Sequence, residues 1–164
     1  MATPTTTARS NGLLALKTVE TVLTSIGWEP ERTDVESVFR VDFSADNIPV
    51  LDALADVRVD FERFLFYLNF RDRATPQSRA QIMEFVTRAN SELIVGNFEL
   101  NLDDGSVRFK SSIDFTGAQL TEPLVRDAIR SAMDAVEYFA DAFVAVVRGE
   151  KSALQALASA GTSK

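Results

Sequence analysis

The stretch Gly96-Asn97-Phe98-Glu99-Leu100-Asn101-Leu102-Asp103-Asp104-Gly105-Ser106-Val107-Arg108-Phe109-Lys110-Ser111-Ser112-Ile113-Asp114-Phe115 decides the fold. Phe98, Leu100 and Leu102 alternate with Asn97, Glu99, Asn101 and Asp103. Val107, Phe109, Ile113 and Phe115 alternate with Arg108, Lys110, Ser112 and Asp114. A period of two marks strands with one buried and one wet face. Asp104-Gly105 between the runs predicts a two-residue hairpin turn, because both central positions of that turn take positive φ. The predicted register sets Leu102 opposite Val107, Leu100 opposite Phe109 and Phe98 opposite Ser111. On the wet face Glu99 meets Lys110 and Asn101 meets Arg108. A cross-strand ion pair contributes ~0.2–1 kcal/mol, whereas burying a large apolar side chain contributes ~1.5–3 kcal/mol. The apolar face therefore decides the pairing.

On the C-terminal side, Thr121 is placed to cap a helix with Glu122 and Pro123 in its first turn. Arg130, Asp134, Glu137 and Asp141 form a narrow polar stripe, while almost everything else from Val136 to Val147 is apolar. A helix packed through one face needs an apolar arc of about 100°. This arc is wider and requires a second neighbour: another helix of the chain, another subunit or a partner. Gly149 ends the helix, and Ala153, Leu154, Ala156 and Leu157 suit a short further helix or a loose tail over 149–164.

On the N-terminal side, Thr75-Pro76 opens a helix with Ile82, Phe85, Val86 and Ala89 on its stripe. Three strands precede it, at about 37–44, 54–61 and 64–70. The third is apolar on both sides and is expected to lie centrally, covered on both faces. A loop is expected at Asp46-Asn47-Ile48-Pro49. A first helix is expected from Asn11 or Gly12 to a cap at Gly27, with Leu13, Leu16, Val19, Leu23 and Ile26 at helical spacing. Residues 1–11 read as a disordered tail. The order α-β-β-β-α-β-β-α predicts an α+β domain over 12–148, with a largely antiparallel sheet of about five strands and helices packed on it.

The 164 residues suit one core, with 46% apolar and 25% charged residues. Neither cysteine nor histidine occurs, so disulfides, thiolate or imidazole zinc sites and imidazole-based triads are excluded. A formal net charge of −7 without a basic cluster argues against a nucleic-acid partner. No apolar run approaches the length of a membrane span. The N-terminus lacks the apolar core of a signal peptide, so a cytoplasmic location is expected.

Few residues invite a chemical role. Asn101, Asp103 and Asp104 beside Gly105 contain calcium-ligand types, but Leu100 and Leu102 interleave as in a strand. Asp60 with Glu62, or Glu99 with Asp103, are carboxylate pairs of the kind glycoside hydrolysis uses, yet each falls on a wet strand face. Ser111 and Ser112 have only Lys110 nearby as a base. Gly96 and Gly105 are isolated and form no phosphate loop. Phe64, Phe66, Tyr67 and Phe70 suit a core better than a nucleic-acid stacking platform, lacking basic neighbours. No catalytic residue, cofactor or metal is assigned. Tyr138, Ala142, Val144 and Ala145, on the wide arc, are the candidate interface.

Thr87-Arg88-Ala89-Asn90, Gly96-Asn97-Phe98-Glu99-Leu100 and Asp103-Asp104-Gly105-Ser106-Val107-Arg108-Phe109-Lys110, in this element order, resemble the bacterial YbjN-domain family. That family is described as sensory transduction regulators, with a fold like that of type III secretion chaperones. The resemblance covers roughly 12–148 and is strongest from Phe85 to Phe115. It implies a non-enzymatic, dimeric regulator or chaperone-like protein that binds another protein, and it brings no catalytic residues. The competing readings are a carboxylate-based enzyme or small-molecule sensor, and a structural component without a dedicated ligand.

Overall fold

The computed structural model describes residues 6–43 and 48–160. In chain order it contains α1 (Thr6–Ser25), β1 (Glu31–Arg32), β2 (Val38–Asp42), β3 (Val50–Arg58), a 3-10 turn (Val59–Phe61), β4 (Arg63–Phe70), α2 (Arg79–Glu92), β5 (Asn97–Leu100), β6 (Val107–Asp114), α3 (Glu122–Val147) and α4 (Ala153–Ala158). The strands form one six-stranded sheet in the order β1-β2-β3-β4-β6-β5, and every neighbouring pair is antiparallel. The fold is α+β as expected, with β1 and α4 added to the predicted order.

α1, α2 and α3 pack on one face of the sheet, and α4 lies against α2 and α3. The rows of that face run Phe39–Ala55–Phe66–Ser111 and Val41–Ala53–Leu68–Phe109–Phe98 across the sheet, and each of these side chains is buried. Aromatic rings lock the layers together. Phe98 meets Phe85 of α2 at 5.8 Å and Phe139 of α3 at 5.6 Å between centroids. Phe70 meets Phe143 of α3 at 4.4 Å, and Trp28 stacks on Phe66 at 6.2 Å. Among the described residues no helix lies on the opposite face. Leu54, Leu65 and Tyr67 are half-buried there and Ser112 is exposed, so β4 is central but fully covered on only one side, contrary to expectation. Arg108 lies over the Tyr67 ring at 4.3 Å, and Arg40 joins Asp42 at 2.8 Å to Asp52 at 3.1 Å. Ion pairs and cation–π contact supply the partial cover that a helix layer would have given.

The hairpin register differs from the prediction by two residues: Leu100 pairs with Val107, Phe98 with Phe109 and Glu99 with Arg108. The cause is a loop longer than the Asp-Gly pair suggests. The Asp103 N–H donates to the Asn101 side chain at 2.9 Å, and the Ser106 N–H and hydroxyl donate to Asp104 at 2.9 and 2.7 Å. The Gly105 carbonyl also accepts from the Ala74 N–H at 2.8 Å. Gly105 has φ +74, and a Cβ there would lie 2.2 Å from the Ala74 carbonyl oxygen. A slip of two keeps every side chain on its face, which is why the apolar pattern alone could not reveal it. Leu102 is left 53% exposed.

Other boundaries move for local reasons. α1 starts at Thr6, so residues 6–11 of the expected tail are helical; Arg9 reaches Asp60 at 3.1 Å and Asn11 reaches Glu62 at 2.6 Å. α1 crosses the 3-10 turn so closely that a Cβ on Gly12 would lie 2.1 Å from the Val59 carbonyl oxygen. β3 begins at Val50, four residues before the expected start near Leu54, with Asp52 and Asp56 buried in it. Of the loop expected at 46–49, Asp46 and Asn47 fall outside the described residues. The regular part of α2 starts at Arg79, but the predicted cap operates: the Ser78 N–H donates to the Thr75 hydroxyl at 3.2 Å and the Thr75 N–H to the Ser78 hydroxyl at 3.0 Å.

Candidate binding groove on the last helix

The wide apolar arc of α3 is filled mainly from within the chain. Val125, Ala128, Ile129, Ala132, Val136, Phe139, Phe143 and Val146 are buried, and α1, α2, α4 and the sheet all pack against the helix. Of these neighbours, α4 comes from the segment read as a tail or short helix. Ser152 and Gln155 form a capping box that starts α4. Its Ala153 N–H donates to the Gln81 side chain at 2.8 Å, docking α4 on α2 as well. The Tyr138 hydroxyl lies 3.5 Å from the Ala160 carbonyl.

What remains outside is a groove. Ile48, Pro49 and Val50 form one wall, Ala156, Ser159 and Ala160 the other, and Met133, Val136, Ala140 and Ala142 lie along the helix between them. Its volume is ≈ 830 Å³. It continues past Ala140 and Asp141 into a second hollow of ≈ 470 Å³ lined by Val144, Ala145, Asp72 and Arg148. The rim is charged with both signs, from Glu137, Asp141 and Lys151. A mostly apolar trough between polar rims is the common form of a binding site.

The four residues singled out on the arc lie along this groove, Tyr138 and Ala142 in the first hollow and Val144 and Ala145 in the second. They differ in the surface they offer. Ala142 and Ala145 are buried, Val144 is half-buried and Tyr138 is 48% exposed. Tyr138 and Val144 therefore carry what contact this set can make. The walls at 48–50 and 156–160 were not singled out in the sequence. The Ser152–Gln155 capping spacing was the available sign that the second wall is ordered.

Three of the four carboxylates read as candidate pairs, Asp60, Glu62 and Glu99, are held by other side chains. Asp60 pairs with Arg9, and Glu62 accepts from Asn11. Glu99 lies between Arg108 at 2.7 Å and Lys110. Burial alone would raise the Glu99 pKa, but the hydrogen bonds from Lys110 and Arg108 outweigh it and the carboxyl titrates below its usual range. Asp104 is also lowered, chiefly by the Ser106 N–H and hydroxyl, and its other oxygen meets Arg73 at 3.0 Å. Its oxygens serve the turn and an ion pair. Asp56 is the exception: burial raises it, with Arg58 at 2.7 Å opposing in part. A polar hollow of ≈ 780 Å³ on the open face includes Asp52, Glu99 and Asp104, each tied to a neighbour as described. Ser111 is buried on the helix side while Lys110 reaches Glu99 on the open side, so the two cannot act as a nucleophile and base. Phe64, Phe66 and Phe70 are buried, and Tyr67 lies under Arg108. The aromatic run forms core, not a stacking platform.

Comparison with known proteins gives a consistent result. The YbjN family model, described as "Putative bacterial sensory transduction regulator", matches residues 15–145. The crystal structure of YbjN from E. coli superposes with a TM-score of 0.60 at 12% identity, covering 82% of this chain and 90% of that one. The HopA1–SchA chaperone–effector complex contains a chain that superposes with a TM-score of 0.54 at 12% identity, covering 77% of this chain and 92% of that one. At such identities the likeness is one of fold. No curated protein matches the chain.

Proposed function

Since the chain belongs to the YbjN family, we propose that it is a non-catalytic module that binds another protein, holding a segment of it in the groove along α3. The observation that carries this is the groove itself, an apolar trough beside Tyr138 and Val144 between charged rims. Apolar surface removed from water there contributes about 25 cal/mol per Å². Mixed charges on the rim orient a partner without demanding one sign. The presence of this fold in a chaperone–effector complex supports the same reading. Self-association is a weaker element of it, because the arc of α3 that suggested a second subunit is filled chiefly by α1, α2 and α4.

The test is affinity capture from the native host with three baits: the wild-type chain, Ala140→Arg with Val144→Arg in the groove, and Ser112→Arg on the open face. A stoichiometric polypeptide held by the wild-type and Ser112→Arg baits and lost from the groove variant is the expected result. A partner lost only from Ser112→Arg moves the site to the open face and contradicts the proposal.

A further inference from the structure

The edge of the sheet at β5 is closed by a side chain. In an antiparallel ladder alternate residues turn their N–H and C=O toward the partner strand, and those between turn theirs outward. The Asn101 N–H donates to the Ser106 carbonyl at 2.9 Å, which places Asn97, Glu99 and Asn101 on the inward set and Phe98 and Leu100 on the outward set. An outward pair is what an added strand would bind. At Phe98 both groups are already taken. The Phe98 N–H donates to the Asn90 side-chain oxygen at 2.7 Å, and the Asn90 amide nitrogen donates to the Phe98 carbonyl at 3.0 Å. One primary amide thus makes the two bonds that a neighbouring strand residue would make, and the Asn97 amide nitrogen adds a second, longer bond to the Phe98 carbonyl at 3.3 Å.

The surroundings give this closure something to prevent. Ile94 is 99% exposed and Val95 51%, just before β5, and Leu102 is 53% exposed just after it. An edge flanked by exposed apolar residues is prone to pair with a copy of itself. The other edge of the sheet, β1, is two residues long and both are charged, Glu31 and Arg32. That edge is protected by shortness and charge, whereas at β5 Asn90 alone engages both the N–H and the carbonyl of Phe98.

We propose that Asn90 acts as a one-residue surrogate strand that closes the β5 edge against a second copy of this chain. The reciprocal amide contact needs Asn at this position: Asp lacks the donor, and Gln places the amide one methylene further out.

The experiment compares wild type with Asn90→Ala, Asn90→Asp and Asn90→Ala combined with Leu100→Pro. Proline at an outward-facing edge position removes no bond to β6 and blocks a new strand. Hydrogen exchange at the Phe98 amide and sedimentation over a range of concentrations are measured on each. Asn90→Ala is expected to speed exchange at Phe98 by about tenfold and to give a larger species absent from wild type, which Leu100→Pro removes. Asn90→Asp retains an acceptor and is expected to fall between wild type and Asn90→Ala in exchange. Unchanged association of Asn90→Ala, or a larger species that survives Leu100→Pro, overturns the proposal. If Asn90→Ala does not fold, the same readouts on Asn90→Asp decide, and wild-type exchange with wild-type mass overturns it.

Discussion

The two faces of the sheet share one backbone and are held in different ways. On the helix side Phe39, Phe64, Phe66, Phe98 and Phe109 are almost fully buried, and specific ring contacts join the sheet to α2 and α3. On the open side Arg40 pairs with Asp52 and Arg108 with Glu99 across strands, and Arg58 pairs with Asp56 along β3. The comparison teaches where stability lies and where a partner can gain. Removing a buried ring leaves a cavity, whereas removing one partly solvated charge leaves water in its place. A face whose charges are already matched also gains little from a new contact. The groove on α3, with its trough apolar and its rim charged, has more to gain.

The sharpest test of this contrast is Phe98→Ala, which takes a ring from between β6, α2 and α3. It is expected to cost about 3–5 kcal/mol in denaturant unfolding. A loss under about 1 kcal/mol would break the contrast between the faces. Gly105→Ala acts on the register the faces share, placing a methyl against the Ala74 carbonyl at positive φ. Roughly 2–4 kcal/mol should be lost, with an altered exchange pattern for residues 97–110. Ser111→Ala probes a polar intruder on the apolar side. Its hydroxyl is buried without a hydrogen-bond partner, so the alanine variant should be more stable by about 1 kcal/mol. Glu99→Gln, on the open face, should cost no more than about 1 kcal/mol at neutral pH.

The Glu99 variant also carries a pH signature. The folded-state pKa of Glu99 is lowered by Lys110 and Arg108 against the opposing effect of burial, so its contribution is present above the usual glutamate range and is lost as pH falls through the folded value. Wild type and Glu99→Gln should therefore converge on acidification. Asp56, raised by burial, has the opposite sign: its cost is present at neutral pH and disappears in acid. Asp56→Asn should gain stability relative to wild type at neutral pH and lose that advantage at low pH. Urea unfolding at several pH values checks both.

Much of the architecture was legible because burial follows period. Alternation in β2, β5 and β6 and the helical stripe of α2 named residues that face the core, as did Leu16, Val19 and Leu23 of α1, whereas Leu13 and Ile26, read on the same stripe, are exposed. Where polar residues are buried, the pattern failed. Asp52 interrupts the apolar start of β3, so the strand was expected only from about Leu54; Asp52 is nonetheless buried, with Arg40 offsetting its charge. The two-residue slip at the hairpin was hidden because it moves no side chain across the sheet. The turn after β3 gave no signal either, since Glu62, not a glycine, takes φ +52 there; its carbonyl accepts from Phe115 at 3.0 Å and its side chain from Asn11 at 2.6 Å. At the groove, the helix that carries it showed in the apolar arc. Its walls did not, because residues 48–50 and 156–160 meet α3 only through long-range packing. Asn90 was part of a motif noted in the sequence, but its bonds to Phe98 appear only once α2 lies beside β5.

The most direct measurement places a photo-crosslinking residue at position 138, in the groove, or at position 112, on the open face, and irradiates cells of the native host. A discrete protein adduct from position 138 and none from position 112 is the predicted result. Adducts from position 112 alone would show that the ion-paired face, and not the trough along α3, receives the partner.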